Sequence, residues 1–202
     1  MYGGSVTEST LNKMSKTRQD RQVATVLLSG GVDSAACMKF MQSQGFAVRT
    51  LFVDYGQPAA TLEQSAAVSL SKLHSCPFEV VTVRGNSRFG SGELLGRNAF
   101  LVFTALFFLR GSPGVLALGL HSGTHYYDCS EAFLDLANRL VAEHTNGSLS
   151  VIAPFLAWSK KDVYRYFLES GLVLDHTYSC EAGEPGGCGT CLSCRDRQGF
   201  EC

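Results

Sequence analysis

Short apolar runs alternate with longer segments of helical spacing along most of the chain. The apolar runs predict five buried strands, at residues 23–28, 46–53, 78–83, 115–118 and 150–153. Apolar side chains that recur every three to four positions predict five helices, at residues 35–44, 59–74, 96–110, 130–144 and 159–170. Strands that alternate with helices are typical of a parallel sheet covered by helices, so the pattern predicts an α/β fold. No long periodic element is predicted after Leu174.

A tight glycine loop separates the first predicted strand from the first predicted helix. Residues 29–34 read Ser-Gly-Gly-Val-Asp-Ser. Gly30 and Gly31 can adopt positive φ and leave no side chain in the way of a ligand. Because the N–H groups that open a helix are unpaired donors at the positive end of its dipole, we expect this loop to bind phosphate. No lysine follows the glycines, so the loop is not of the Walker type. A turn that only caps its helix is the alternative.

A second polar stretch, Asp-Tyr-Gly-Gln at residues 54–57, follows the second predicted strand. Ligands of open parallel sheets bind at the carboxyl ends of the strands, so this stretch is expected beside the glycine loop. Asp54 could hold a Mg²⁺-bound water or a ribose or adenine group, or serve as an ordinary turn residue. Arg97, at the start of the third predicted helix, could meet a phosphate or carboxylate with its planar fork of donors, or be solvated.

Composition and charge limit the classes of function. The chain has 17 basic and 18 acidic residues and a net charge of −1, so no positive field favours nucleic acid, and a small-molecule substrate is expected. No apolar run reaches the ~18 residues of a membrane-spanning helix, and residues 99–109 are interpreted as a buried helix. Residues 1–22 are polar and aperiodic, which predicts a mobile tail ahead of a domain at 23–174.

Four cysteines dominate the last segment, residues 175–202. Their spacing is C-x7-C-x2-C-x2-C, at Cys180, Cys188, Cys191 and Cys194. Four thiolates would fill the tetrahedral shell of Zn²⁺ and leave no position for water, which predicts a structural site. An iron–sulfur cluster is an alternative by ligand type, and a disulfide network is a weaker one. With no apolar export signal at the start of the chain, this cluster favours a reducing cytoplasm.

Six motifs occur in an order that resembles the 7-cyano-7-deazaguanine synthase (QueC) family of the PP-loop ATP pyrophosphatases. They are the SGGxDS loop at 29–34, the Asp-Tyr-Gly-Gln at 54–57, Gly96-Arg97-Asn98, Asp128-Cys129, Ser159-Lys160 and the cysteine cluster ending in Cys194-Arg195. The resemblance covers residues 23–197. It implies an adenine-nucleotide α-hydrolase-like Rossmannoid fold, a three-layer sandwich around a parallel sheet, with a small zinc-binding segment.

The resemblance also implies a reaction and a set of site residues. The reaction is the ATP-dependent conversion of 7-carboxy-7-deazaguanine and ammonia to 7-cyano-7-deazaguanine through adenylated intermediates, with Mg²⁺ at the phosphates, in a homodimer. The residues implied for ATP are Ser29, Gly30, Gly31, Val32, Asp33, Ser34, Asp54, Tyr55 and Gln57. Those implied for catalysis are Lys160, Arg97 and Asp128, and those implied for the acceptor are Arg97, Asn98, Tyr127 and Asp128.

The acceptor half of this pattern matches the family less fully than the ATP half. Pro58 and Ala59 stand where the family usually has a basic residue and a histidine, Ser130-Glu131 stands where an arginine is expected first, and the stretch before Asp128 is short and reads His125-Tyr126-Tyr127. A paralogue that transfers the adenylated acid to another amine, such as a protein N-terminus, and stops at the amide is therefore an alternative. A tRNA-modifying PP-loop enzyme and a non-enzymatic nucleotide- and zinc-binding module are further alternatives.

Overall fold

A computed structural model of the chain describes residues 22–85, 89, 92, 94–124 and 126–200. Its strands are β1 (Val23–Leu27), β2 (Ala47–Asp54), β3 (Phe78–Thr82), β4 (Gly114–Ala117) and β5 (Leu149–Ile152). Its α-helices are α1 (Val32–Ser43), α2 (Ala60–Leu73), α3 (Arg97–Leu109), α4 (Glu131–Thr145), α5 (Lys160–Glu169) and α6 (Leu192–Phe200). The alternation of strands and helices predicted from the sequence is confirmed within these residues.

The five strands form one parallel sheet in the order β3-β2-β1-β4-β5. In the register of the central strands, Leu27 lies opposite Leu51 and Val26 lies opposite Ala117. The chain leaves β1 toward β2 on one side and later returns to pair β4 on the other side. The carboxyl ends of β1 and β4 therefore flank the point where the strand order reverses, which is where open sheets of this kind bind ligands.

Two apolar layers cover the sheet, one on each face. On one face, α1, α2 and α5 bury residues such as Met38, Leu70 and Phe167 against β1 and β2. On the other face, α3 and α4 bury Val102 and Val141 against the opposite sides of the same strands. Strands covered on both faces are apolar along their whole length, which explains why they read as continuous apolar runs. The predicted three-layer α/β sandwich is confirmed.

The interpretation of residues 99–109 as a buried helix is wrong for one face of that helix. Helix α3 buries Val102, Ala105 and Leu109, whereas Phe107 is 76% exposed and Phe108 is also exposed. A single layer of sheet can cover only one stripe of a surface helix. Across the described ranges, none of the helices combines the length and the hydropathy that crossing a bilayer requires.

The expectation of no long element after Leu174 missed α6. This helix has nine residues, Leu192–Phe200, and is too short and too polar to show a clear apolar stripe. Contacts with the preceding segment stabilise it, because the Arg197 guanidinium donates to the carbonyls of Leu174 and Thr177 at 2.9 and 3.2 Å. The tail predicted at 1–22 lies outside the described residues except for Gln22.

Candidate functional site

A cavity of about 610 Å³ opens at the carboxyl ends of β1, β2 and β4. Its walls come from the glycine loop, the end of β2, the start of α3, the segment after β4, and the cysteine-containing segment. The volume lies in the range of small-molecule and cofactor sites. Of the residues predicted to bind or act on ligands, those that line it are Ser29, Gly31, Val32, Asp33, Ser34, Tyr55, Gln57, Arg97, Asn98 and Lys160.

Packing requires glycine at one position of the loop. Gly30 has φ +84°, and a Cβ there would lie 2.6 Å from the backbone oxygen of Glu63. Gly31 does not use the positive φ that was open to it: it is extended at φ −82° and caps α1 without a side chain. Gly31 instead lines the cavity, where the missing side chain leaves the backbone open to a ligand.

The start of α1 presents unpaired donors to the cavity. The N–H groups in the first turn of a helix have no intrahelical partner. Among the described residues no side chain caps this helix end, so these N–H groups are open to a ligand. The Ser29 and Ser34 hydroxyls lie 3.1 Å apart beside them, and Ser34 also donates to the Gly31 carbonyl at 3.1 Å. Amides at the positive end of a helix, next to two hydroxyls, form a site suited to a phosphate group.

Lys160 faces this site from the first residue of α5. A capping box fixes the start of α5: Asp162 N–H donates to the Ser159 hydroxyl, and Ser159 N–H donates to the Asp162 carboxylate, both at 3.2 Å. The Lys160 ammonium donates to Asp33 Oδ2 at 2.5 Å and lies 3.9 Å from Asp196 Oδ2. A cation between two carboxylates is thus positioned beside the phosphate-type site.

His121, which follows β4, faces the same carboxylate and was not among the predicted site residues. Its Nδ1 accepts a hydrogen bond from Gly123 N–H at 3.0 Å, and its Nε2 lies 3.9 Å from Asp33 Oδ2. Burial lowers the pKa of His121, partly offset by the Asp33 charge. The other Asp33 oxygen, Oδ1, is buried and has no hydrogen-bond partner in the described part of the chain. His125, in the same loop, lies outside the described residues.

Asp54 is placed differently from its neighbours in the sequence. Both of its carboxylate oxygens accept hydrogen bonds from the Arg84 guanidinium, at 2.8 and 2.7 Å, and Oδ1 also accepts from Gly56 N–H. The hydrogen bond from Arg84 lowers the pKa of Asp54. Asp54 does not line the cavity, and Arg84 already donates to both of its carboxylate oxygens. Its role toward ATP or metal stays a prediction.

Asp128 and Tyr127 also lie outside the cavity wall. Asp128 is buried, and its Oδ2 accepts from the Asn98 backbone N–H at 2.9 Å while its carbonyl accepts from the Asn98 amide at 2.9 Å. The Asp128 carboxylate therefore anchors the start of α3, which carries Arg97. Tyr127 is 62% exposed, and its ring packs against Phe133. Acceptor binding by Asp128 and Tyr127 stays a prediction.

Glu63 is a cavity residue that sequence reasoning missed. It lies in the first turn of α2, and its Oε2 accepts from the Gln57 side-chain amide at 3.0 Å. Gln57 is itself held by Tyr55 N–H, which donates to Gln57 Oε1 at 3.0 Å. Burial raises the pKa of Glu63, partly offset by the Gln57 hydrogen bond and the Arg97 charge. The available signal was a carboxylate in the first turn of the helix that follows the polar 54–57 stretch.

The four predicted metal ligands are brought together. The sulfur atoms of Cys180, Cys188, Cys191 and Cys194 all lie within 4.8 Å of one another. Backbone N–H groups donate to three of these sulfurs at 3.3 to 3.4 Å, and the Thr190 hydroxyl lowers the pKa of Cys188 to about 6. Both effects favour the thiolate form that binds metals, whereas burial raises the pKa of the Cys194 thiol. The donor set therefore fits a single metal ion.

The cysteine segment also forms part of the cavity. Tyr178 N–H donates to the Gly30 carbonyl at 2.9 Å, which attaches the segment to the glycine loop. A Cβ on Gly183 would lie 2.4 Å from the Pro58 carbonyl, so the segment also packs closely against the turn after β2. Tyr178, Glu181, Ser193 and Asp196 line the cavity. The cysteine segment and the cavity are thus one continuous structure.

Comparison with known proteins places the chain in a family. The family model described as queuosine biosynthesis protein QueC matches residues 23–104 and 94–201. The 7-cyano-7-deazaguanine synthase of Halobacterium salinarum is 30% identical over 207 residues, which covers 88% of this chain and 90% of that protein. The enzyme of the same name from Methanothermobacter thermautotrophicus is 30% identical over 211 residues, 88% and 94% of the two chains.

A solved structure supports the fold alone. It is a predicted subunit of tRNA methyltransferase from Methanocaldococcus jannaschii, with a TM-score of 0.52 and 16% identity over 73% of this chain and 75% of that chain. The family match spans residues 23–201, which include the glycine loop, the lining of the cavity and the four cysteines. The chain belongs to the QueC family of queuosine biosynthesis proteins.

Proposed function

We propose that this protein has 7-cyano-7-deazaguanine synthase-type activity and uses ATP to convert a 7-carboxylate into a nitrile. The observation that carries this proposal is the phosphate-type site at residues 29–34, open to the cavity and faced by Lys160. The family relatives named as synthases support the choice of acceptor. A site made of backbone donors and one cation suits a reaction that depends on positioning and charge neutralisation.

The reaction needs two activations of the same carbon. A carboxylate oxygen attacks the α-phosphorus of ATP, and pyrophosphate leaves. Ammonia then attacks the acyl carbon and loses a proton from its nitrogen. AMP leaves and carries away the carboxylate oxygen that had attacked ATP, which gives the amide. The amide oxygen attacks a second ATP in the same way. Loss of AMP and of two protons from nitrogen leaves the carbon–nitrogen triple bond.

The residues of this chain contribute charge and position to these steps. The helix α1 amides and the Ser29 and Ser34 hydroxyls hold phosphate oxygens, as their placement at the cavity supports. Lys160 exchanges its contact with Asp33 for the α-phosphate oxygens as negative charge develops there. Arg97, which lines the cavity, pairs with the acceptor carboxylate.

Mg²⁺ fits the same site. Asp33 would hold it, since Asp33 Oδ1 is a buried acceptor with no hydrogen-bond partner in the described ranges. When bound, the ion neutralises phosphate charge. Asp54 fits this role less well because Arg84 occupies its carboxylate.

The cysteine site fits Zn²⁺ in particular. Sulfurs within 4.8 Å of one another surround a space for one ion, whereas the thiolates of a multi-iron cluster bind separate irons and lie farther apart. Four cysteine ligands leave no open coordination position, so the metal would stabilise the segment and take no part in the chemistry. The homodimer, the protein acceptor and the cytoplasmic location stay predictions.

Product analysis tests the proposal. The protein is incubated with ATP, Mg²⁺ and 7-carboxy-7-deazaguanine, with and without ammonia, and the products are identified by mass spectrometry. Nitrile and AMP, formed only with ammonia, are expected. Adenylate or amide as the final product would move the assignment to the amide-forming paralogue. AMP release that requires tRNA would overturn it in favour of a tRNA-modifying enzyme, and no turnover would favour a binding module.

A further inference from the structure

Glu63 is a carboxylate of the cavity wall with one oxygen that is available to a ligand. Its Oε2 accepts from Gln57, and its Oε1 has no hydrogen-bond partner among the described residues. The other carboxylates of the wall lie near Lys160 or accept hydrogen bonds from Gly92 and Ser193, although Asp33 Oδ1 has no hydrogen-bond partner among the described residues. Asp33 is bound by Lys160, Asp196 lies near the same ammonium, and Glu181 accepts from Gly92 N–H, Ser193 N–H and the Ser193 hydroxyl.

The surroundings of Glu63 define what it can recognise. It is half-buried and lines the cavity, so its second carboxylate oxygen is open to a donor from a ligand. Arg97 lies close enough to lower its pKa, so a cation and an anion face one compartment of the cavity. That compartment suits a ligand with a carboxylate at one end and N–H donors at the other.

The acceptor of the proposed function has this form. A 7-carboxy-7-deazaguanine carries a carboxylate on its five-membered ring, and on the opposite edge it carries N1–H and the C2 amino group, two adjacent donors. Carboxylates accept hydrogen bonds from such paired donors with both strength and directional selectivity. Asp128 cannot supply this carboxylate from its observed position, because it lies outside the cavity wall and accepts from Asn98.

We propose that Glu63 is a specificity-determining residue that accepts hydrogen bonds from the N1–H and C2 amino groups of a guanine-type acceptor. The inference rests on the proposed function. Gln57 is its positioning residue, because Tyr55 N–H fixes the Gln57 oxygen and thereby turns the Gln57 amide toward Glu63. The resemblance implies Gln57 for ATP, and that role stays a prediction; its observed contacts place its amide against Glu63.

The hydrogen-bond direction makes a sharp variant available. In Glu63→Gln, the new side-chain oxygen must face the Gln57 amide, so the new NH₂ group points to where Oε1 accepted. A donor then meets the donors of a guanine-type edge and repels them. An adenine-type edge has an acceptor at N1 and a donor at C6. Its N1 acceptor is repelled by the Glu63 carboxylate of the wild type, but it can accept a hydrogen bond from the NH₂ group of Glu63→Gln.

The test is calorimetric binding of two acceptors, 7-carboxy-7-deazaguanine and 7-carboxy-7-deazaadenine, to the full chain loaded with a non-hydrolysable ATP analogue. Wild type is expected to prefer the guanine-type acid. Glu63→Gln should bind it about 10- to 150-fold more weakly, the range for loss of a hydrogen bond to a charged group, and bind the adenine-type acid as well or better. Glu63→Asp should keep the guanine preference at reduced affinity. Glu79→Gln, the same change at an exposed position of β3, should match wild type.

The outcomes separate this inference from the proposed function. If wild type binds the guanine-type acid and Glu63→Gln binds it equally well, Glu63 has no such role, whatever the reaction. If wild type makes no nitrile, adenylate or amide but still shows the switch in preference, the subsite stands and the proposed reaction fails. Affinity for the ATP analogue, measured on every variant, reports the integrity of the fold. A variant that loses analogue affinity as well would assign Glu63 to ATP or to folding and overturn the inference.

Discussion

The two sides of the cavity are built from the sequence in different ways. The loop side is residues 29–34 with the start of α1, six consecutive residues whose backbone makes the site. The Glu63 side is Gln57, Glu63 and Arg97, three side chains from the turn after β2, from α2 and from the start of α3. A short motif can specify a backbone site by itself, whereas a side-chain site depends on how distant elements pack. The comparison predicts that variants of the two sides separate ATP chemistry from acceptor recognition.

Lys160 offers the largest expected effect on the loop side. Lys160→Met removes the ammonium that faces the phosphate-type site and should lower kcat for AMP formation about 100- to 1,000-fold with little change in the acceptor KM. Steady-state kinetics with both substrates measure it. Lys161→Ala, the exposed neighbour in α5, is the control and should match wild type. A change in acceptor KM alone would move Lys160 to the Glu63 side.

Gly30→Ala should break the loop itself. A Cβ would lie 2.6 Å from the Glu63 backbone oxygen at φ +84°, so the loop must shift, and a shift of about 1 Å costs on the order of 100-fold in rate. The ATP-analogue affinity and AMP formation should fall together. Gly45→Ala is the matched control, since Gly45 has φ +86° and no atom within 4 Å of such a Cβ. Equal losses in the two variants would show that only backbone strain matters.

Cys191→Ser tests whether the metal segment supports both sides. Loss of one of four ligands should lower bound zinc and solubility together, and ATP-analogue affinity should fall about tenfold because Tyr178 no longer holds the Gly30 carbonyl. Metal analysis and calorimetry measure the two effects. Cys76→Ser, outside the cluster, should keep its zinc. A soluble, zinc-replete Cys191→Ser protein would contradict the structural assignment.

The smallest expected effect is a pH dependence confined to the Glu63 side. Burial raises the pKa of Glu63, so the carboxylate that accepts from the ligand is lost as pH falls, beginning at a higher pH than for an exposed glutamate. Acceptor affinity should therefore decrease on acidification while ATP-analogue affinity changes less. Calorimetry between pH 8 and about 5 measures it. The same dependence in Glu63→Gln would assign the titration to another group.

Particular residues show where prediction from the sequence succeeds. The order of strands and helices, the phosphate-type loop and the four metal ligands all depend on residues close together in the chain, and the structure places them as expected. The predicted helix start at Ser159 is also confirmed, because a capping box is a local pattern, and it puts Lys160 at the first position of α5.

For side chains whose surroundings depend on distant residues, the sequence did not predict which partners they have. Asp54 follows a central strand and reads as a ligand, yet Arg84, 30 residues later, occupies its carboxylate. Asp128 reads as part of the acceptor site, yet it anchors the start of α3 through Asn98. In the sequence, Glu63 looks like one more polar residue of a helix. Only its contact with Gln57 and its nearness to Arg97 in the fold make it a candidate for binding the acceptor.

The sequence by itself determined the α/β architecture, the loop that can hold phosphate and the four cysteines that can hold a metal. Hydrophobic periodicity, glycine conformational freedom and cysteine spacing act over a few residues and need no knowledge of the packing. Only the tertiary structure decided which carboxylates face the cavity and which are neutralised elsewhere. A carboxylate takes the nearest donor in space, and folding alone determines which donor that is.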